Sequence, residues 1–194
     1  MKKLLKIFLL CSLFISCKTW DVTKIAVKKD AISPKLLTLD KQIDDIANVR
    51  VVISEDGKTV FTKEVEDNLI DPYGEKFGYI VMKQNIIKAN GGLDLILPNL
   101  LTLGIPMLFG CPIATSKYII EVELRIMDSR NRLLGKYSAI GIGSAIAAMY
   151  YGYTLEGAER KSYTDALNDA FNQIRPQIQK DVSVINEKLK LAGK

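Results

Sequence analysis

From Tyr118 to Met127 the chain alternates, with Ile120, Val122, Leu124 and Ile126 on one side and Ile119, Glu121, Glu123 and Arg125 on the other. That period of two predicts a strand with one buried face and one wet face. Asp128 to Asn131 supplies a turn, and Leu133 to Ile142 a returning strand. Upstream, two β-branched runs, Val49 to Ile53 and Thr59 to Val65, flank Asp56-Gly57. This dipeptide tolerates the positive φ angles of a tight turn, so the segment Asn48 to Glu66 predicts a second hairpin with Ile53 opposite Val60. Leu36 to Leu39 reads as a short first strand and Gly78 to Ile87 as another, with a loop over Asp67 to Lys76 between the predicted hairpin and the latter.

The period changes at the C-terminal end. From Leu155, apolar residues recur at Ala158, Ala166, Leu167, Ala170, Phe171 and Ile174, with Glu159, Arg160, Asp165, Asp169 and Asn172 between them. That is a helical stripe with a polar back. Ile178, Val182, Ile185 and Leu189 continue it beyond Pro176, where the missing amide predicts a kink or a fresh start. The pattern as a whole predicts an α+β fold, an antiparallel sheet of about five strands packed against one or two C-terminal helices.

Two long runs carry no charge, Leu95 to Ser116 and Tyr137 to Leu155. The first is long enough to cross a bilayer, but Pro98, Pro106 and Pro112 with Gly104 and Gly110 interrupt it, and each interior proline costs a helix about 3 kcal/mol. Pairing about the turn at Asp128 to Asn131 sets Met127 near Arg132 and Lys117 near Ile142, so both runs leave the sheet at the same end. Either they pack on each other and the helix as core, or part of them stays exposed as an apolar, tyrosine-bearing surface for a protein partner, a lipid headgroup region or an apolar ligand. The candidate surface comprises Leu103, Pro106, Met107, Phe109, Met149, Tyr150, Tyr151 and Tyr153.

The first residues follow another pattern. Three lysines at Lys2, Lys3 and Lys6, an apolar run from Ile7 to Ile15, and Ser16-Cys17 give the charged, apolar, small-residue order of an export signal. Phe14-Ile15-Ser16-Cys17 supplies the small residue and upstream aliphatics that lipoprotein processing requires, so Cys17 is the expected site of lipidation. The expected organisation is a signal peptide over 1–16, a lipidated tether over 17–35 and a single domain over 36–194. Lys18 stands where an aspartate would retain some lipoproteins on the inner membrane. The expected place is therefore the outer membrane, facing the periplasm.

Removing the signal alters the charge. The full chain carries 27 Lys+Arg against 22 Asp+Glu, a formal +5, and the loss of three lysines leaves 24 against 22. With no basic stripe interleaved with aromatics, nucleic acid is not an expected partner. Of three cysteines, only Cys111 remains free in the processed chain, so it forms no intramolecular disulfide there and reads as a small buried hydrophobe. The chain has no histidine, which removes imidazole acid/base catalysis, the usual activated nucleophiles and histidine-ligated zinc. Glu66, Asp67, Asp71 and Glu75 cluster about a loop, but their spacing fits no calcium loop. Gly141-Ile142-Gly143 lacks the third glycine and the strand-to-helix setting of a dinucleotide site. No cofactor, metal or catalytic residue is expected.

The lipobox ending at Cys17, Leu103-Gly104-Ile105-Pro106, the hairpin from Tyr118 to Gly143, Ala148-Met149-Tyr150-Tyr151-Gly152-Tyr153 and the alanine-rich helix together resemble uncharacterised lipoproteins of Bacteroidota type. The resemblance covers the signal and roughly residues 77–179, and it brings no active site with it. With the excluded chemistries and the expected anchor, the expected role is a non-enzymatic, lipid-anchored accessory or protein-interaction module, with a binding protein for an apolar or lipid-like ligand as the alternative.

Overall fold

A computed structural model describes residues 20–21, 27–44, 51–91, 101, 103, 105–108, 111–149 and 151–192. Its sheet has four strands in the order β1 (Asp40–Ile43), β2 (Gly78–Gly91), β3 (Ala114–Asp128) and β4 (Leu133–Ala147). Helix α1 (Val51–Glu64), extended by a wide π turn over Val65–Leu69, connects β1 to β2. A short helix α2 (Ile105–Leu108) precedes β3, and α3 (Leu155–Ala192) closes the described chain. The fold is α+β.

The hairpin expected about Asp56-Gly57 is instead helix α1. Its buried positions are Ile53, Asp56, Gly57, Val60, Phe61 and Glu64, and the same three-and-four spacing along one helical face continues through Val65, Asn68 and Leu69 of the π turn. Gly57 is needed there for proximity rather than for a turn. A Cβ at that position would stand 2.5 Å from the Tyr163 hydroxyl on α3. The same correction changes the sheet. A helical crossover returns the chain to the end it left, so β1 runs parallel to β2 while the other pairs are antiparallel. The sheet is therefore mixed, with four strands among the described residues rather than about five antiparallel ones. Leu36, expected within a strand, makes only a single bridge to Ile70.

The β3–β4 hairpin follows the alternation that predicts it. Ile120, Val122, Leu124 and Ile126 are fully buried. A bulge near the turn pairs Met127 with Leu133, and Lys117 then faces Ser144 rather than Ile142, a slip of two residues that keeps every side chain on its predicted face. Asp128 organises the turn. One of its carboxylate oxygens accepts the amides of Arg130 at 2.9 Å and Arg132 at 2.8 Å, and the other accepts the Arg132 Nε at 2.7 Å. Asn131 takes the left-handed conformation the turn requires, at φ 61°.

Burial opposes ionisation of Asp128, but the two amides and the Arg132 guanidinium outweigh it and hold its carboxyl below the usual range. A depressed folded-state pKa stabilises the fold above the ordinary aspartate value, about pH 4, and that stabilisation is lost as pH falls below it. Urea midpoints of the wild type should therefore fall more steeply between pH 5 and 3 than those of Asp128→Asn. Parallel profiles would refute this role for the carboxylate.

Helix α3 runs through Pro176 as one element instead of restarting there. Pro176 and Asn172, whose carbonyl loses its amide partner, both lie on the exposed side of the helix. Its buried side chains, among them Tyr163, Leu167, Phe171, Ile174 and Ile178, meet the inner sheet face and α1 in one core. Close contact is possible because β4 presents Gly141, Gly143, Ala145 and Ala147 inward. The polar flank of α3 also caps the outer edge of β4: Gln173 and Gln177 donate to the carbonyls of Ile140 and Ser138, and Asp169 accepts the Ile142 amide. These bonds occupy backbone groups that an edge strand otherwise offers to another chain.

Part of the expected tether belongs to the fold. Ile32 and Leu36 enter the core, the Asp30 and Ile32 amides bond the side chain and backbone carbonyl of Asn68, and Ser33 donates to Gln179 at 2.8 Å. Leu37 and Lys35 are held by the Asn186 amide group. Apolar residues three and four apart at Ile32, Leu36 and Leu39 give this strap something to bury. The last residues of the expected tether therefore pack against the domain.

Candidate functional site

The two uncharged runs do leave the sheet at one end, where Ala114 pairs with Ala147 and the Ile113 amide donates to the Ala147 carbonyl. Beyond β4 the chain turns back on itself. Tyr153 donates its amide to Ile146 and accepts from Ala148, and Gly152 fits inside because a Cβ there would stand 2.4 Å from the Ala148 nitrogen. Thr154 then caps α3, its hydroxyl accepting the Gly157 amide at 3.0 Å. A small cluster of Ala114, Ala145, Ala147 and Ala158, with Tyr153 against it, fills this end.

The candidate surface residues divide by position. Met149 and Tyr151 are exposed, and Tyr153 is half-buried. Leu103 is exposed, with a left-handed φ of 52°, and Pro106 and Met107 fall in α2, Met107 half-buried. Phe109 and Tyr150 lie outside the described residues, as does Cys17. Trp20 has no sequence signal as a member of this end, yet its ring lies edge-on to Tyr153 with centroids 6.3 Å apart. Trp20 also lines a groove of about 170 Å³ with Thr154, Glu156, Gly157 and Arg160. Cys111, expected to be buried, is exposed. It sits just before β3, outside the alternation that buries that strand's residues.

Two acid–arginine pairs join α1 to α3. Arg160 grips Asp56 in a two-point contact, Nε to Oδ2 at 2.7 Å and Nη2 to Oδ1 at 2.9 Å. The Asp56 carboxylate raises the pKa of Arg160 against the opposing effect of burial. Arg175, 4% exposed, grips the fully buried Glu64 in the same way, with Nη2 to Oε2 at 2.8 Å. Glu64 also accepts from Asn68 at 2.7 Å. A carboxylate held by an arginine in a two-point contact ties the two helices together. Sequence reading missed both pairs, although Asp56 and Glu64 fall on the apolar spacing of Ile53, Val60, Phe61 and Val65.

Of the acids about the loop after α1, Glu66 and Asp71 lie at the surface. Glu66 pairs with Lys41, and Asp71 accepts the Tyr73 amide. Among the described residues, no group of three metal-ligating side chains converges. Further grooves of about 220 Å³ beside Arg175 and Gln179 and about 260 Å³ beside Tyr137 and Asp181 are below the roughly 300–1,000 Å³ typical of small-molecule sites. No described helix is long and apolar enough to cross a membrane.

These features define the class: among the described residues, a four-stranded mixed sheet with one long covering helix and an exposed apolar end beside Trp20. No family model matches the chain, and no curated protein matches it significantly. Among solved structures it is similar to a "putative lipoprotein" from Caulobacter crescentus CB15, at 10% identity over 73% of this chain and 90% of that one, with a TM-score of 0.38. It is also similar to a minor lipoprotein from Acinetobacter baumannii, at 11% identity over 77% of this chain and 93% of that one, with a TM-score of 0.28. Similarity at that level does not define a common fold.

Proposed function

We propose that this chain is a lipid-anchored accessory module of the bacterial envelope, cut before Cys17, acylated there, and held in the outer membrane on its periplasmic side. The observation that carries the reading is the run from Lys2 to Cys17, in which charge, apolar stretch, small residue and cysteine occur in the order that processing needs. Acyl chains at that thiol hold firmly, each buried methylene contributing about 0.8 kcal/mol. Lys18 supports the outer membrane over the inner. The role is one of interaction rather than catalysis. In support, the chain contains no histidine, and Asp56 and Glu64, its acids buried between α1 and α3, are each committed to an arginine.

Intact-mass spectrometry of the membrane fraction should find the chain trimmed to Cys17 and carrying diacylglyceryl. Cys17→Ser, or globomycin treatment of the wild type, should yield a longer species with its signal retained. A wild-type product ending at Cys17 without lipid would overturn the reading.

A further inference from the structure

We propose that the end of the molecule bearing Trp20, Met149, Tyr151 and Leu155 rests on the bilayer interface, so that the anchor fixes the orientation of the domain as well as its location. This rests on acylation at Cys17. Lipoproteins on flexible tethers leave the folded domain free to tumble above the membrane; here the chain is already part of the fold at Trp20. The indole meets Tyr153 edge-on, and its Cβ is 3.3 Å from where a Gly157 side chain would begin. Only Lys18 and Thr19 separate Trp20 from Cys17, and an extended chain covers at most about 11 Å over that span. Acyl chains in the membrane therefore bring the Trp20 end of the domain to the headgroups.

That end has the surface the position requires. Met149 is 37% exposed, Tyr151 48% and Leu155 54%, all within a few residues of the turn that carries Tyr153. Tyrosine and tryptophan favour the membrane–water interface because one edge of the ring is apolar and the other hydrogen-bonds. A few half-exposed side chains do not retain a protein on a bilayer by themselves. The acyl chains supply retention, and the apolar end supplies direction. Helix α3 starts at this end and, at 1.5 Å per residue, reaches roughly 57 Å to Ala192. The exposed Val184 lies most of that length away and serves as a reference point.

The test uses the full lipidated chain in phosphatidylcholine vesicles containing a doxyl-labelled lipid. In a Cys111→Ser background, bimane is attached at Tyr151→Cys or Val184→Cys, since an acylated Cys17 has no free thiol. Loss of most emission at position 151 with near-background quenching at 184 is the expected result. Trp20→Ala should reduce quenching at 151 while membrane retention and acyl mass stay unchanged, because it loosens the leash without removing the anchor. Equal quenching at the two positions, in protein whose mass includes the lipid, would overturn the orientation and leave the anchor standing. Protection of 151 without lipid quenching would point to a protein on that face and overturn it as well. A mass without lipid would instead overturn the anchor, and the orientation with it.

Discussion

Glu64→Leu should destabilise the fold by about 3–5 kcal/mol, the range for removing one partner of a buried ion pair. The cost arises mainly from what is left behind. Arg175 is 4% exposed, and its remaining acid, Asp30, approaches Nη1 only to 3.9 Å from an exposed position. A guanidinium in that setting has lost its two-point partner while remaining almost wholly buried. Asn68 loses an acceptor in the same step, and Asn68 also holds the strap through the Asp30 and Ile32 amides. Urea unfolding of Glu64→Leu measures the loss. Adding Arg175→Met should recover much of it, since a buried pair exchanged for apolar residues of similar volume is often close to neutral. Glu66→Ala, which breaks the exposed pair with Lys41, should stay within about 0.5 kcal/mol of wild type. A wild-type midpoint for Glu64→Leu would mean that Arg175 finds water where the structure buries it.

The same network explains which elements are legible in the sequence. The β3–β4 hairpin is legible because its evidence is local: a period of two over a stretch with one fully buried face, then Asp128 and Asn131 to turn it. Helix α1 is not, because half of its buried face is polar or glycine. Asp56 and Glu64 are buried only because Arg160 and Arg175 arrive from 104 and 111 residues away, and Gly57 only because Tyr163 occupies the space beside it. Read locally, that face loses its stripe and Asp56-Gly57 takes on the meaning of a turn. The exposed end was partly legible, since strand pairing alone brings the two uncharged runs together. Trp20 was not, because nothing local distinguishes a tryptophan that docks from one in a tether.

Gly141→Ala and Gly143→Ala should each cost about 3 kcal/mol, at the upper end for overpacking, because the atoms they meet are backbone. A Cβ at Gly141 would stand 1.9 Å from the Ala166 carbonyl oxygen, and one at Gly143 would stand 2.0 Å from that of Ser162. No rotamer change relieves either contact, so α3 must move away from β4. That displacement also strains the edge bonds, since Asp169, Gln173 and Gln177 reach Ile142, Ile140 and Ser138 from the same helix. Two readouts follow from one cause: a lower urea midpoint and faster hydrogen exchange at the Ile142 amide, which the Asp169 carboxylate otherwise holds at 2.9 Å. Ser138→Ala, on the outward face of the same strand, should change neither by more than about 0.5 kcal/mol. Gly141-Ile142-Gly143 has the outline of a broken phosphate loop, but in this fold its glycines are where a helix lies against a sheet with no side chain between. If both alanine variants kept the wild-type midpoint and the Ile142 protection, α3 would have to stand farther from β4 than these distances allow.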